Sequence, residues 1–123
     1  MAEQWSVLDG ERLVSGDHAA GVVSANLDDG RTTTYLRSGS GRLLVVVSNG
    51  DRAMVVLMSG EGDAGEHAVS PGATGSSDGY VLENDQEDTY ENADTVPLTD
   101  ALDAVRSIDS GRPPRGQRWS VDR

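Results

Sequence analysis

Histidine and carboxylate side chains that could bind a metal or move a proton come together at one place in the sequence. Asp63, Glu66 and His67 offer the oxygen and nitrogen ligands that divalent metals use in proteins. Their spacing matches neither the zinc nor the calcium signatures. The sequence therefore favours a structural His67 that hydrogen-bonds its neighbours. A small metal-dependent hydrolase that uses His67 and nearby carboxylates stays open as the less favoured alternative.

The other side-chain chemistries of enzymes have little support in the sequence. The chain contains no cysteine, which excludes a thiolate nucleophile and a cysteine-based zinc site. The Gly/Ser-rich segments 38–41 and 72–77 lack the lysine and the spacing of a phosphate-binding loop. We therefore predict that the protein is not an enzyme and holds neither a cofactor nor a metal.

Charge is distributed very unevenly along the chain. The 123 residues include 21 acidic residues and 10 arginines, for a net charge of −11. Residues 53–105 contain twelve acidic residues and no arginine, whereas residues 1–52 have a balance of −2 and residues 106–123 a balance of +3. Such a field repels nucleic acid and anionic membranes and attracts basic surfaces. The simpler interpretation, a solvated face without a partner, stays open.

The densest part of the acidic segment also contains an aromatic residue. Between Glu83 and Asp94 the sequence reads as a polar loop, with Tyr90 between Asp88 and Glu91. Aromatic side chains amid charges are enriched at binding hot spots. The predicted contact residues are Glu83, Asp85, Glu87, Asp88, Tyr90, Glu91 and Asp94.

The strongest structural signal in the sequence is a hairpin pattern. Apolar residues fill 43–47 and 53–58 on either side of Asn49-Gly50, a pair preferred in tight hairpin turns. Neither arm alternates apolar with polar residues, so both should be central strands that are covered on both faces. A helix or a second copy of the chain in a homodimer could supply one of these covers.

Helices and further strands complete the predicted domain. Helices are predicted from Asp17 to about Asp29 and after Pro97, because apolar residues recur there at helical spacing. Trp5 and Trp119 are predicted to be core residues. Shorter strands are predicted at 5–8, 13–14, 32–37, 66–70, 80–83 and around 119–121, with loops at 59–65 and 71–79. The result is a single α+β domain spanning residues 1–123, an antiparallel-rich sheet with a central hairpin and at least two packed helices.

Several short motifs carry a resemblance to a known family. They are Gly-Asp-Ala-Gly-Glu-His-Ala-Val at 62–69, Asp-Gly-Tyr-Val-Leu at 78–82, Asp-Thr-Val-Pro-Leu at 94–98, Gly-Arg-Pro at 111–113 and the late Trp119. Together they are similar to an immunity-protein family of bacterial polymorphic toxin systems, the one typically paired with deaminase-type toxins. The resemblance implies a protein that neutralises a cognate toxin by binding it.

The resemblance also gives the acidic segment a role. Deaminases that act on nucleic acid need a basic substrate groove and a zinc-activated water. The acidic loop would occupy that groove in place of phosphates, with Tyr90 as its aromatic anchor and the contact residues named above as toxin-binding residues. A general acidic module that binds some other basic protein is the alternative.

The expected location is the cytoplasm. The longest apolar runs, 43–47 and 53–58, are far shorter than the roughly 20 residues that cross a bilayer. The N-terminus shows no charged segment followed by an apolar run and a cleavage site, so no signal peptide is expected.

Overall fold

The computed structural model describes residues 5–7, 12–13, 16–30, 32–39, 41–60, 62–81, 86–107 and 118–121. These residues form an α+β fold, as the sequence predicts. The elements in chain order are β1 (Trp5–Val7), β2 (Arg12–Leu13), α1 (Gly16–Asp28), β3 (Thr33–Ser38), β4 (Leu43–Ser48), β5 (Arg52–Met58), β6 (Glu66–Val69), β7 (Ser76–Val81), β8 (Glu87–Glu91), a short 3-10 helix (Asn92–Asp94), β9 (Val96–Pro97), α2 (Leu98–Arg106) and β10 (Arg118–Val121).

The main sheet is antiparallel and has the predicted hairpin at its centre. Its strands follow the order β10-β6-β5-β4-β3-β1-β2, and β9 pairs with the start of β5. The turn between β4 and β5 follows the chemistry of Asn-Gly: Gly50 has a φ of 96°, and Asn49 Oδ1 accepts hydrogen bonds from the backbone N–H groups of Asp51 and Arg52 at 2.9 Å. This local signal fixes the register in which Leu43 lies opposite Met58.

One face of the sheet forms the core with both helices. Alternate residues of the central strands point to this face, where Val46 and Val55 are almost fully buried against Val23 of α1 and Val105 of α2. Burying each such side chain stabilises the fold by roughly 1.5–3 kcal/mol. The predicted core roles of the tryptophans are confirmed, because Trp5 is buried in this cluster and Trp119 packs against it.

A separate two-stranded ribbon, β7–β8, lies on the opposite side of the sheet. Its strand β7 contacts β4, and Tyr80, near the end of β7, is fully buried. The central strands are therefore covered on both faces, as predicted, but on this face only in part: Leu43, Val45, Val56 and Met58 are half-buried.

The ribbon corrects two sequence predictions. The segment 71–79 is not a loop throughout, since β7 begins at Ser76, and the predicted acidic loop is a strand over Glu87–Glu91. Its polar sequence lacks the apolar alternation that marks a half-buried strand. Pairing with β7 and contacts to the main sheet determine its conformation instead. Glu83 and Asp85 lie outside the described residues.

The remaining predicted elements are confirmed within the described residues, with ends that move by a few positions. The strand pair near the N-terminus, helix α1, strands β3 and β6, helix α2 and the last strand all lie where the sequence places them. Val14 and Ile108 lie outside the described residues. None of the helices in the described ranges is long and apolar enough to span a membrane.

Candidate functional site

The acidic strand β8 divides its side chains between two faces. Glu87, Thr89 and Glu91 are exposed, whereas Asp88 and Tyr90 are half-buried and turned toward the main sheet. This alternation follows from strand geometry, in which successive side chains point to opposite faces. The predicted contact residues therefore do not form one surface: two exposed acids lie on one face, and the aromatic residue lies on the other.

Strand β7 adds a third acid to the exposed face. Ser77 pairs with Tyr90 and Tyr80 pairs with Asp88, so Asp78 and Gly79 together oppose the single residue Thr89. Asp78 is exposed. The outer face of the ribbon, as the term is used below, consists of Asp78, Glu87, Thr89 and Glu91.

The inner face of the ribbon is built around two tyrosines. The rings of Tyr80 and Tyr90 lie 4.7 Å apart between centroids and are tilted by 53°, a favourable aromatic arrangement. The Tyr90 hydroxyl donates a hydrogen bond of 3.2 Å to Asp88 Oδ2. Burial, this hydrogen bond and the negative charge of Asp88 raise the pKa of Tyr90 to about 12. Tyr90 thus stabilises the ribbon from inside.

Arg52 connects the end of the ribbon to the main sheet. Its Nε donates to Thr95 Oγ1 at 2.8 Å, and its Nη2 lies 3.1 Å from each of Ser70 Oγ, Asn92 O and Thr95 O. The planar guanidinium suits this multiple contact because its N–H donors are fixed in direction. The bonds hold the 3-10 helix that follows β8 against β5 and β6.

Asn92 fixes the same junction from the ribbon side. Its Nδ2 donates to Thr74 O at 3.0 Å, and its Oδ1 accepts a hydrogen bond of 2.6 Å from Ser77 Oγ. In addition, Ser70 N–H donates to Ala93 O at 2.8 Å. The segment that follows β8 is thereby bonded to two neighbouring segments.

The far end of β7 is bonded to the sheet through side chains rather than through a strand ladder. Thr32 Oγ1 and Thr33 Oγ1 both donate to Val81 O, the latter at 2.9 Å. Asn49 Nδ2 donates to Asp78 O at 3.0 Å. Both ends of the ribbon are therefore attached, which orients the acids of its outer face.

His67 pairs with a distant acid. Its Nε2 lies 3.0 Å from Asp94 Oδ1, with 15% of the His67 side chain and 52% of the Asp94 side chain exposed. The predicted hydrogen-bonding role of His67 is confirmed, although its partner is not adjacent in sequence. Asp63 instead accepts a hydrogen bond from Ser59 N–H at 2.9 Å. In the described part of the chain, no three histidine or acidic side chains are grouped as metal ligands.

The structure describes five of the seven predicted contact residues and places them in three different situations. Glu87 and Glu91 are exposed together, Asp88 and Tyr90 form the inner face, Asp94 pairs with His67, and Glu83 and Asp85 lie outside the described residues. Two residues were missed by sequence reasoning, Arg52 and Asp78. The position of Arg52 at the edge of the arginine-free segment 53–105 is the one sequence signal that singles it out.

The site can attract cationic groups. Its outer face carries Asp78, Glu87 and Glu91, and the surrounding chain from residue 53 to residue 105 contains no arginine or lysine. Comparison with protein-family models, curated proteins and solved structures gives no match.

Proposed function

We propose that the protein is an immunity protein that binds a toxin through the outer face of the β7–β8 ribbon. The toxin is a nucleic-acid deaminase with a basic substrate groove, met in the cytoplasm. The observation that carries the proposal is the ribbon itself, which displays Asp78, Glu87 and Glu91 on one face while both of its ends are hydrogen-bonded to the main sheet.

A fixed acidic face suits an inhibitor better than a flexible one. Ordering a mobile loop on binding costs conformational entropy, which reduces affinity. The contacts of Arg52, Asn92 and Tyr80 hold the ribbon before any partner arrives. A partner can therefore bind this face without first having to order the ribbon.

The motifs that resemble the immunity family lie where the fold of this region is determined. Gly65 has a φ of 79°, and a Cβ atom there would lie 2.5 Å from Leu57 O. Tyr80 packs under the ribbon, and Thr95 accepts and donates bonds at the Arg52 junction. Tyr80 and Thr95 thus support the acidic face, and Asp78 of the same motifs lies on it.

The mechanism is occlusion of the toxin, not catalysis by this protein. Carboxylates on the outer face would take the positions that substrate phosphates occupy in a basic groove. Charge complementarity speeds encounter and selects basic partners, whereas buried contacts set the lifetime of the complex.

Coexpression with the toxin domain encoded beside this gene tests the proposal. The wild-type protein is expected to restore growth and to co-purify with the toxin. The double variant Glu87→Arg/Glu91→Arg is expected to lose both effects, because it places positive charge in the binding face.

The matched control is Asp28→Arg/Asp29→Arg, which makes the same change in charge at exposed positions at the end of α1. It should protect cells as the wild type does. Cell death with the wild-type protein and no complex would contradict the immunity function. Equal loss of protection in both double variants would leave net charge, and not the ribbon, as the cause.

A further inference from the structure

Strand β8 has one edge that is unpaired within the described residues. At the end of the β7–β8 ladder, Asn92 N–H donates to Gly75 O at 3.0 Å. Backbone groups of successive residues in a strand point to opposite edges. The N–H groups of Glu87, Thr89 and Glu91 therefore point away from β7. These three residues are called the open edge of β8 below.

The open edge faces the part of the sheet that the ribbon leaves uncovered. The β7 carbonyl of Val81 is bonded to Thr33, at the start of β3. The 3-10 helix that follows β8 reaches further along the sheet, since Asp94 pairs with His67, which lies opposite Val56. Strand β8 thus lies between β7 and the uncovered end of this face of the main sheet.

An apolar row follows beyond the open edge. Leu43 and Met58 are paired across β4 and β5, and both are half-buried. Arg37, which is exposed, lies opposite Leu43 at the β3 end of the same row. A strand placed beside β8 would therefore meet apolar side chains toward the sheet and carboxylates on its outer side.

We infer that the open edge of β8 accepts an extended segment of the toxin as a third strand of the ribbon. The backbone of this segment would bond to the N–H and C=O groups of Glu87 and Thr89 and to the N–H of Glu91. This inference rests on the proposed function for the identity of the partner. It adds that recognition includes the protein backbone and is not electrostatic alone.

The positions on β8 define the chemistry of the incoming strand. Glu87 and Glu91 are four residues apart on the outer face, so the strand needs arginine or lysine at positions separated by four. Its alternate side chains, which point toward Leu43 and Met58, should be apolar. Arg37 at the end of that row excludes a basic residue from the inner side.

The carboxylates also oppose pairing of this edge with itself in a second copy of the chain. An open strand edge is a template for association between identical chains, and charged side chains oppose it. Two β8 strands side by side would bring glutamates together, whereas a basic strand would neutralise them. The edge therefore selects a basic partner over a second copy of this chain.

A synthetic peptide tests the edge without the toxin. The probe is a short peptide of alternating arginine and valine, titrated into the isotope-labelled protein and followed by NMR. Binding should slow the hydrogen exchange of the Glu87, Thr89 and Glu91 amides. A peptide of the same sequence with N-methylated backbone amides carries the same charge but lacks these donors. It should bind at least about tenfold more weakly, as expected for the loss of hydrogen bonds.

A pair of variants at Thr89 gives the converse test. Thr89→Pro removes the N–H at the centre of the open edge, where proline is tolerated because that N–H does not pair with β7. Thr89→Val keeps the N–H and serves as the control. The proline variant should bind the unmethylated peptide about tenfold more weakly than the valine variant.

The outcomes separate the edge from the proposed function. Absence of peptide binding, equal binding of the two peptides or unprotected amides in the complex would overturn the edge inference, even if the protein still protects cells. Edge-specific peptide binding by a protein that fails to protect cells would keep the edge and reject the toxin as its partner.

Discussion

Tyr90 illustrates how strand geometry assigns roles to neighbouring residues. It lies between acidic residues in the sequence, yet its ring packs on Tyr80 and its hydroxyl bonds to Asp88. Glu91, the next residue, points to the opposite face and is exposed. Tyr90 therefore supports the ribbon from its inner face, and Glu87 and Glu91 carry the charge of its outer face.

The raised pKa of Tyr90 gives a prediction at alkaline pH. The folded-state value of about 12 lies above the ordinary value of 10.0, so an unfolded chain loses this proton first as the pH rises. The contribution of Tyr90 to stability is present below pH 10.0 and is lost as the pH rises through about 12. The difference between the absorbance titrations of the wild type and of Tyr90→Phe isolates Tyr90 and should show a midpoint near 12. The variant Asp88→Asn should lower this midpoint, because it removes the negative charge beside the hydroxyl. A midpoint near the ordinary tyrosine value would contradict this account.

Tyr80 gives a second prediction at the same scale. Its ring is fully buried, but its hydroxyl has no hydrogen-bond partner within the described structure. Because an unsatisfied buried hydroxyl is costly, Tyr80→Phe should leave the free energy of unfolding unchanged or raise it by up to about 1 kcal/mol. Urea denaturation measures this change. A loss of more than about 1 kcal/mol would indicate a bonded hydroxyl.

At the scale of elements, local pattern and tertiary contact determine different parts of the fold. The hairpin of β4 and β5 was predictable because an Asn-Gly turn separates two apolar runs. The helices were predictable from apolar spacing, as Ala101 and Val105 on one face of α2 show. Strand β8 was not predictable, because its polar residues pair with a bulged partner and depend on bonds from distant side chains.

Arg52 gives the prediction for the ribbon as an element. Arg52→Met removes its hydrogen bonds to Thr95, Ser70 and Asn92, and should lower the free energy of unfolding by about 2–3 kcal/mol. Hydrogen exchange of those β8 amides that point toward β7 should accelerate as well. Urea denaturation and NMR measure the two effects.

The control is Arg106→Met. Arg106 is 47% exposed and pairs with Asp103 at 2.7 Å and Asp17 at 3.7 Å, so its loss should cost less than about 1 kcal/mol. Similar losses in both variants would show that Arg52 has no special role at the junction.

The candidate site was predictable only in part, for the same physical reason. Composition alone located the acidic segment, and two of its predicted contact residues, Glu87 and Glu91, are exposed together. Which acids point outward depends on strand pairing, which the polar sequence does not encode locally. Asp78 lies on the same face because it follows Ser77, the partner of Tyr90, and the bulge then returns Tyr80 to the inner face.

At the scale of the whole molecule, the sheet separates the apolar core from the acidic ribbon. The two helices and the apolar core occupy one face, and the acidic ribbon occupies the other. Changes on the outer face of the ribbon can therefore alter binding while the core remains intact. This separation makes charge reversal at Glu87 and Glu91 informative.

The most direct test of the central claim is the association rate with the toxin domain, measured by stopped-flow at several salt concentrations. Glu87→Arg/Glu91→Arg should slow association by at least about tenfold at low salt and weaken its salt dependence. Asp28→Arg/Asp29→Arg should retain most of the wild-type rate. An unchanged rate in the ribbon variant, or an equal loss in both variants, would contradict recognition through the acidic ribbon.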